Sequence, residues 1–403
     1  MRRLFSPEDE PVGRIHDQLV HLGDIKQKIP DPFGFVQILS RTQISLLVES
    51  AFWASLRFSE GRTTRVCIVV ADPERFLDAV GFATPVTYDE SQIVKLASAV
   101  PRSGCLLVSG LNDELTIWGF GRSRSGSSWM DTVTIDLAEP GTLRVGVGPF
   151  RAFAVLNGRS NLLLEGTQID LAAYLQRVLR KELPQDDIIE TQAVWRECLA
   201  VMDLVRMIVV DGHGGMVLVV PAETGPWTNA LNPFAYQFAV PDTTIRDAIR
   251  QELKDRQTQG EALQRVSTSL LPDDLKNLVV KSLLPHPADI GRAVRAIASL
   301  AAVDGAVVMT RDMKILGFGA KIATQSDTAP AVCIFGPQPG KQAVVLSPLE
   351  DLGGTRHQSA ARFVAANRDA VALVISQDRH LSVMHWDKEL DSVTIMRNAE
   401  WWM

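Results

Sequence analysis

Residues 304–322 read DGAVVMTRDMKILGFGAKI, and this stretch decides the fold expected for the C-terminal part of the chain. The Asp-Gly pair is typical of a tight turn, and the apolar run from Ala306 to Met309 predicts a buried strand. A polar turn then leads into a second strand, which contains Gly317, Phe318 and Gly319. We therefore predict two neighbouring strands joined by a turn.

A similar stretch, SGCLLVSGLNDELTIWGFGR, lies at residues 103–122. Both stretches follow a helix, a buried strand and a second helix. In the first copy the helix and buried strand are QISLLVESAFWASLRF at 43–58 and RVCIVVA at 65–71, and in the second they are QAVWRECLAVMDLVRM at 192–207 and DGHGGMVLVVP at 211–221. The repeated order predicts an α/β protein with mixed β-sheets flanked by helices. We expect a smaller, degenerate copy at 1–165 and a fuller copy at 185–400.

The second copy is longer, mainly because of residues 243–284. This segment is charged, has helical spacing and is interrupted at Pro272. We predict a helical insertion there, and a solvated brace fits its charge better than a regulatory role. The first forty residues are polar and contain Pro30, Pro32 and Gly34, which predicts an N-terminal arm.

Composition excludes several classes of protein. With 403 residues, 46% of them apolar, the chain is long enough for two or three folded domains. A net charge of -6 argues against a general electrostatic grip on nucleic acid or on a membrane surface. The four cysteines are far apart, which argues against structural zinc and disulfides. No signal peptide and no run of about 18–20 apolar residues is present, so we expect a soluble, cytoplasmic chain.

The stretch GGTRHQSA at residues 353–360 opens an alanine-rich helix. Its two glycines allow the backbone to approach a ligand closely, and Thr355 is predicted to cap a helix running from about residue 357 to 366. A helix N-terminus favours phosphate, and Arg356 and His357 add hydrogen-bond donors. A triphosphate cradle and an ordinary capped helix with a surface Arg-His pair fit these residues equally well.

Asp304 is a second candidate for chemistry, because its carboxylate precedes a buried strand. Such a group beside a phosphate cradle can ligate Mg²⁺ or activate a hydroxyl. The first copy has Ser103 at the corresponding place, so it keeps the turn and loses the carboxylate. An ordinary hairpin turn is the alternative interpretation.

Three motifs in order, DGA at 304–306, GGTRHQSA at 353–360 and ALVISQDRHLSV at 372–383, resemble the diadenylate cyclase domain, including the one in DNA-integrity-scanning proteins. The resemblance extends more weakly back to residue 212. It implies that two ATP molecules condense to cyclic di-AMP with release of two pyrophosphates. It also implies Mg²⁺ or Mn²⁺ as the metal, and two domains meeting face to face in at least a transient dimer.

The same resemblance implies a role for individual residues. Asp304, Arg356 and His357 would be catalytic, with Asp304 also holding the metal. The residues expected to contact ATP are Gly305, Ala306, Ile322, Gly354, Thr355, Arg356, His357, Gln358 and Ser376. Among these, Ile322 would contact adenine and Ser376 would lie near the phosphates.

The chain departs from the family at Gln358, where a second arginine is usual. Weaker ATP binding, slower turnover and loss of catalysis are all open consequences. Two other classes of function therefore stay open: an inactive module that senses an adenine nucleotide or a cyclic dinucleotide, and a structural partner with no occupied site. The N-terminal copy, which lacks the Arg-His helix, is predicted to be a sensor or a docking surface.

Overall fold

The computed structural model describes residues 38–59, 61–71, 73, 79–101, 104–111, 114–121, 133–147, 150–156, 159–161, 171–179, 188–232, 235–267, 275, 288–323, 332–335, 345–352 and 354–402, with scattered positions between 6 and 20. The chain forms two compact units: the first comprises residues 1–170, 337–341 and 401–403, and the second comprises residues 171–336 and 342–400. The predicted arm around Pro30, the residue Ser103, the predicted break at Pro272 and the first glycine of GGTRHQSA, Gly353, lie outside the described residues.

The first unit is built on one large mixed sheet. The helices whose bounds are described are α1 (Arg41–Ser55) and α2 (Glu90–Ala97), and the described positions between 12 and 20 are also helical. Its strands are β1 (Phe58–Ser59), β2 (Arg62–Thr63), β3 (Cys67–Val70), β4 (Ala79–Thr87), β5 (Cys105–Leu111), β6 (Glu114–Gly121), β7 (Val133–Glu139), β8 (Thr142–Val147), β9 (Phe150–Leu156) and β10 (Arg159–Asn161). The described strands of the large sheet follow the order β10-β9-β8-β7-β3-β5-β6-β4, with β1 and β2 forming a separate hairpin. Among the strands described in this sheet, only β3 and β5 pair in parallel.

Helix α1 begins at a capping box and packs on this sheet. The Ser40 hydroxyl accepts from the Gln43 amide at 3.2 Å, and the Gln43 side chain accepts from the Ser40 amide at 2.9 Å, so two otherwise unpaired donors are satisfied. Strand β3 is buried on both faces. Ile68 lies in the same core as the buried face of α1, whereas Val69 lies in a smaller cluster with Trp118.

The second unit has a mixed sheet with helices on both faces. Its helices are α3 (Leu171–Val178), α4 (Ile188–Asp211), α5 (Thr244–Ser267), α6 (Ala288–Leu300) and α7 (Thr355–Ala366), with 3-10 segments at Pro226–Ala230, Leu349–Leu352 and Ala399–Trp402. Its strands are β11 (Gly215–Val220), β12 (Tyr236–Asp242), β13 (Ala306–Thr310), β14 (Ile315–Ala320), β15 (Val332–Phe335), β16 (Val345–Ser347), β17 (Val371–Ile375), β18 (Leu381–Asp387) and β19 (Ser392–Met396). They follow the order β12-β14-β13-β11-β17-β18-β19-β15-β16.

The core of the second unit fixes the position of helix α7. Phe363 and Ala360 of this helix are fully buried, in one cluster with Leu218 of β11 and Trp227 of the first 3-10 segment. Helices α4 and α6 pack against each other. Gly215 lets them approach the start of β11, because a Cβ there would lie 3.1 Å from Ala301 Cβ.

The predicted α/β class, with mixed sheets flanked by helices, is confirmed. No helix of the described ranges is both long enough and apolar enough to span a bilayer. All four cysteines are buried, and none of them forms a disulfide.

Candidate functional site

One edge of the sheet in the second unit collects the residues that the sequence singles out. Strands β11 and β13 are parallel, with Val217 opposite Val307, whereas β11 and β17 are antiparallel, with Gly215 opposite Ile375. The amino ends of β11 and β13 and the carboxyl end of β17 therefore share one edge. Asp304 comes just before β13, and Ser376 comes just after β17. We call this edge of the sheet the site edge. It includes the turn before β11, the residues just before β13 and just after β17, and the first turn of α7.

Helix α7 begins earlier than predicted, and its cap differs. The helix runs from Thr355 to Ala366, so the predicted end is right and the predicted start at about residue 357 is wrong. Gly354 is the N-cap residue, in an extended conformation (φ -61°, ψ 163°), and its carbonyl accepts from the His357 amide at 3.0 Å. The predicted capping role of Thr355 is therefore wrong: Thr355 is the first helical residue, and it is exposed. Because glycine supplies no capping oxygen, the helix start keeps donors that suit an anion.

Arg356 lies against the glycine turn that precedes β11. A Cβ on Gly214, which has φ +64°, would lie 2.9 Å from Arg356 Nη1 and 3.1 Å from the carbonyl oxygen of Ile375. Glycine is therefore favoured by the backbone conformation and by the nearby carbonyl of Ile375, and the guanidinium of Arg356 lies close to this turn. Among the residues that the structure describes, no carboxylate forms an ion pair with Arg356. Its positive charge is thus available to a ligand.

Arg379 approaches the same turn at Gly212. A Cβ on Gly212, which has φ +73°, would lie 2.8 Å from Arg379 Nη2. Two guanidinium groups therefore lie beside the turn formed by residues 212–214, and guanidinium is well suited to phosphate oxygens.

His357 is half-buried, and its side chain contacts a residue of strand β18. Its Nε2 lies 3.2 Å from the hydroxyl oxygen of Ser382, which is buried. Burial lowers the pKa of His357 below its usual range, and the nearby positive charges of Arg397 and Arg356 lower it further. The imidazole is therefore neutral at pH 7 and acts as a hydrogen-bonding group.

Asp304 lies at the site edge but points into solvent. Its side chain is 82% exposed, and its carboxylate lies 3.3 Å from Lys321 Nζ. The following residue, Gly305, has φ +118°, and a Cβ there would lie 2.5 Å from the carbonyl carbon of Gly319. The backbone of this turn is therefore fixed by the neighbouring strand, while the carboxylate already has a cationic partner.

The described residues contain no group of three or more His, Cys, Asp or Glu side chains that could hold a metal ion. Asp304 is the candidate ligand that the sequence offers, and a cation there would have to compete with Lys321. The metal role of Asp304 stays a prediction.

The other predicted residues also map to the site edge. Ala306 is buried and pairs with Ala320, so it shapes the edge without presenting a side chain. Ile322 is partly buried against the core and forms a bridge with Leu231. Gln358 is half-buried on α7. The Ser376 hydroxyl accepts from the His380 amide at 3.1 Å, so it is already used inside its own turn.

Sequence reasoning missed several groups at the site edge. These are Arg379, Ser382, Arg397 and Glu400. The first is signalled only by the glycine-rich turn DGHGG that it contacts. The others come from strand β18 or from beyond it, and no local spacing links them to α7.

A comparison with family models finds a match in the first unit. Residues 36–122 match a family described as "Probable sensor domain DACNV". This range runs from just before α1 to the end of β6 and covers the central strands of the first sheet. No match was found among curated proteins. None was found among solved structures.

The predicted membership of the diadenylate cyclase family is wrong. No diadenylate cyclase model matches the chain, although the motifs at 304–306, 353–360 and 372–383 stand in the expected order. Three short motifs in α/β elements, one of them altered at Gln358, are too little sequence to establish a family. The range that is similar to a known family is residues 36–122, and the family is a probable sensor domain.

Proposed function

We propose that this protein is a sensor module that binds an anionic adenine nucleotide, either ATP or a cyclic dinucleotide, at the site edge of its second unit. The observation that carries the proposal is the placement of Arg356, which lies on Gly214 at a helix start that has no side-chain cap. Within the described ranges this guanidinium has no carboxylate partner. The match of residues 36–122 to a probable sensor domain supports the sensor class.

Charge and polarity at the site edge favour a phosphate group. Arg356 and Arg379 lie beside the glycine turn, and Arg397 is close enough to influence the pKa of His357. The amide groups of the first turn of α7 add partial positive charge. Ile322 offers apolar surface at the same edge, which suits the flat face of adenine.

The family match supports sensing over catalysis, because residues 36–122 are similar to a probable sensor domain. The pair between Asp304 and Lys321 does not decide between the two, because both side chains are exposed and a divalent cation can displace so weak an ion pair. Synthesis of cyclic di-AMP with Mg²⁺ or Mn²⁺ at a face-to-face dimer, and the assignment of separate roles to residues 1–165 and 185–400, stay predictions from the sequence.

Nucleotide binding is tested by calorimetry with ATP and with cyclic di-AMP on the full chain, without metal and with Mg²⁺. Arg356→Ala should weaken binding about ten- to a hundredfold, because a hydrogen bond to a charged group contributes about 1.5–3 kcal/mol. The matched control is Arg368→Ala, just beyond the other end of α7, where the guanidinium pairs with Asp391 and stacks on Trp386. Absence of binding at millimolar nucleotide, or equal losses in both variants, would refute the proposal.

Catalysis is tested in the same preparation. The protein is incubated with ATP and Mg²⁺ or Mn²⁺, and cyclic di-AMP is sought by chromatography. The sensor proposal predicts no product. Product that disappears in Asp304→Asn would favour an enzyme instead.

A further inference from the structure

The C-terminal 3-10 segment brings a buried carboxylate to the site edge. Glu400 is fully buried. One of its oxygens lies 2.9 Å from Nδ1 of His380, and the other accepts from the amide of Leu381 at 2.7 Å. Both of these partners belong to the turn between β17 and β18 or to the strand that follows it.

That turn, Ser376–His380, is tightly bonded within itself. The Ser376 amide donates to the His380 carbonyl at 2.9 Å, and the His380 amide donates to the Ser376 hydroxyl at 3.1 Å. Arg379 has φ +69°, a conformation that residues other than glycine rarely adopt. The surrounding structure must therefore hold the turn in place.

The turn also forms one wall of the site edge. Arg379 projects onto Gly212, and the end of β17 that leads into Ser376 lies beside Arg356 and Gly214. A change in the turn would therefore move one of the two guanidinium groups that lie beside the glycine turn.

A buried carboxylate is costly unless donors satisfy it. Two of the contacts of Glu400 are with His380 in the turn and with the amide of Leu381, so the carboxylate stabilises the observed conformation of this segment. An apolar residue at position 400 would bury the same surface, but it would accept no hydrogen bond from the turn or from Leu381. Hydrogen bonding by the carboxylate, and not burial alone, therefore distinguishes a positioning role from simple packing.

We infer that Glu400 is a positioning residue for the nucleotide site: it fixes the Ser376–His380 turn and thereby places Arg379 at the site edge. The inference rests on the proposed function for its ligand. It assigns to the C-terminal segment a role in binding that the motifs at residues 304–306 and 353–360 do not indicate.

Hydrogen exchange of the full-length, unliganded chain tests the positioning role directly. In Glu400→Gln, the amides of residues 376–381 should exchange at least about tenfold faster, with Leu381 the most affected because its amide loses a charged acceptor. His380→Ala keeps the bond to Leu381, so its effect should be smaller. Glu389→Gln, an exposed glutamate on the next turn, is the matched control and should change nothing.

Calorimetry with ATP completes the test. Glu400→Gln should weaken ATP binding severalfold, and Glu400→Asp, which keeps the charge, should recover part of the affinity. Unchanged exchange at residues 376–381 in both Glu400→Gln and His380→Ala overturns the inference, as does equal acceleration across the whole second unit. If the parent protein binds no ATP, the proposed function fails, while the exchange data still decide whether Glu400 holds the turn. If Glu400→Gln does not fold, His380→Ala and Glu400→Asp carry the same comparison.

Discussion

The two units share a five-stranded arrangement. The strand order is β7-β3-β5-β6-β4 in the first unit and β17-β11-β13-β14-β12 in the second. In the first unit β3 is parallel to β5 and antiparallel to β7, and in the second β11 is likewise parallel to β13 and antiparallel to β17. The hairpins β5–β6 and β13–β14 also share a shift in strand register. In the first, Leu107 opposite Gly119 is followed by Val108 opposite Ile117, and in the second, Val308 opposite Gly317 is followed by Met309 opposite Ile315.

The units differ in what connects these strands. Eleven residues, 122–132, separate β6 from β7, whereas fifty residues, 321–370, separate β14 from β17 and contain α7. The shorter connection lies outside the described residues, but it is too short for a twelve-residue helix and two strands. The segment that carries Arg356 and α7 in the second unit therefore has no counterpart of that length between β6 and β7. The family match at 36–122 covers four of the five shared strands, β3 to β6, and ends before β7.

The largest expected effect concerns a glycine at the same place in both scaffolds. Gly305→Ala would bring a Cβ within 2.5 Å of the carbonyl carbon of Gly319 and would force alanine to φ +118°. Clash and backbone strain together should lower the free energy of unfolding by at least about 3 kcal/mol. In Gly104→Ala the new Cβ would lie 2.4 Å from the carbonyl oxygen of Gly121, but Gly104 does not have a positive φ. We therefore expect a smaller loss in the free energy of unfolding, about 1–3 kcal/mol.

Urea unfolding followed by circular dichroism measures both glycine variants. Gly81→Ala is the control, because its Cβ would meet its nearest neighbour, the carbonyl oxygen of Trp118, at 3.9 Å. It should change stability by no more than about 0.5 kcal/mol. Equal losses for Gly305→Ala and Gly104→Ala would show that the positive φ in the second unit carries no extra constraint.

A smaller effect separates two buried tyrosines, one in each unit. The Tyr88 hydroxyl donates to the carbonyl of Leu47 at 2.8 Å, whereas the Tyr174 hydroxyl is buried with no hydrogen-bond partner among the described residues. Tyr88→Phe should therefore cost about 0.5–1.5 kcal/mol, because it removes one buried hydrogen bond to a carbonyl of helix α1. Tyr174→Phe should be neutral or stabilising. The same urea titrations test both, and a clear loss in Tyr174→Phe would mean that its hydroxyl has a partner.

Sequence periodicity predicts the buried parts of both scaffolds and misses their edges. Strands β3 and β11 are apolar without interruption because both of their faces are buried. The outer strands β4 and β12 were not predicted, since they are mostly exposed and carry Pro85 and Pro241, which are unfavourable in a sheet interior.

Candidate site residues show the same division between local and long-range information. Arg356 could be identified from the sequence, because the start of a helix after a glycine can be recognised from neighbouring residues. Contacts such as His357 with Ser382 and Glu400 with His380 join positions that are 25 and 20 residues apart. They depend on the pairing of β17 with β18 and on the path of the C-terminal segment, which no local pattern specifies.

The smallest expected difference is in the response of the units to acid. Burial, Arg397 and Arg356 lower the pKa of His357 in the folded protein. The unfolded chain, with an ordinary histidine pKa of about 6.5, therefore binds the proton more readily. The second unit should lose stability as the pH falls below about 6.5, until it passes the folded pKa.

In the first unit the sensitive group is Asp89, the cap of α2. Burial raises the pKa of Asp89, but hydrogen bonds from the Ser91 hydroxyl and from the Gln92 and Ser91 amides outweigh burial, and the pKa is lower than usual. Its contribution is present above an ordinary aspartate pKa of about 3.9 and is lost only below it. Between about pH 6.5 and 4, the second unit should therefore weaken while this cap holds.

Hydrogen exchange at pH 7.5 and 5.5, corrected for the intrinsic rates, resolves the two units in one experiment. His357→Gln keeps a hydrogen-bonding group near Ser382 and removes the titration, so it should reduce the acid loss of the second unit. Asp89→Asn keeps a good helix cap and should leave the response over this pH range unchanged. If the parent and His357→Gln weaken equally between these pH values, the acid response of the second unit comes from another group, and the assigned role of His357 in it is wrong.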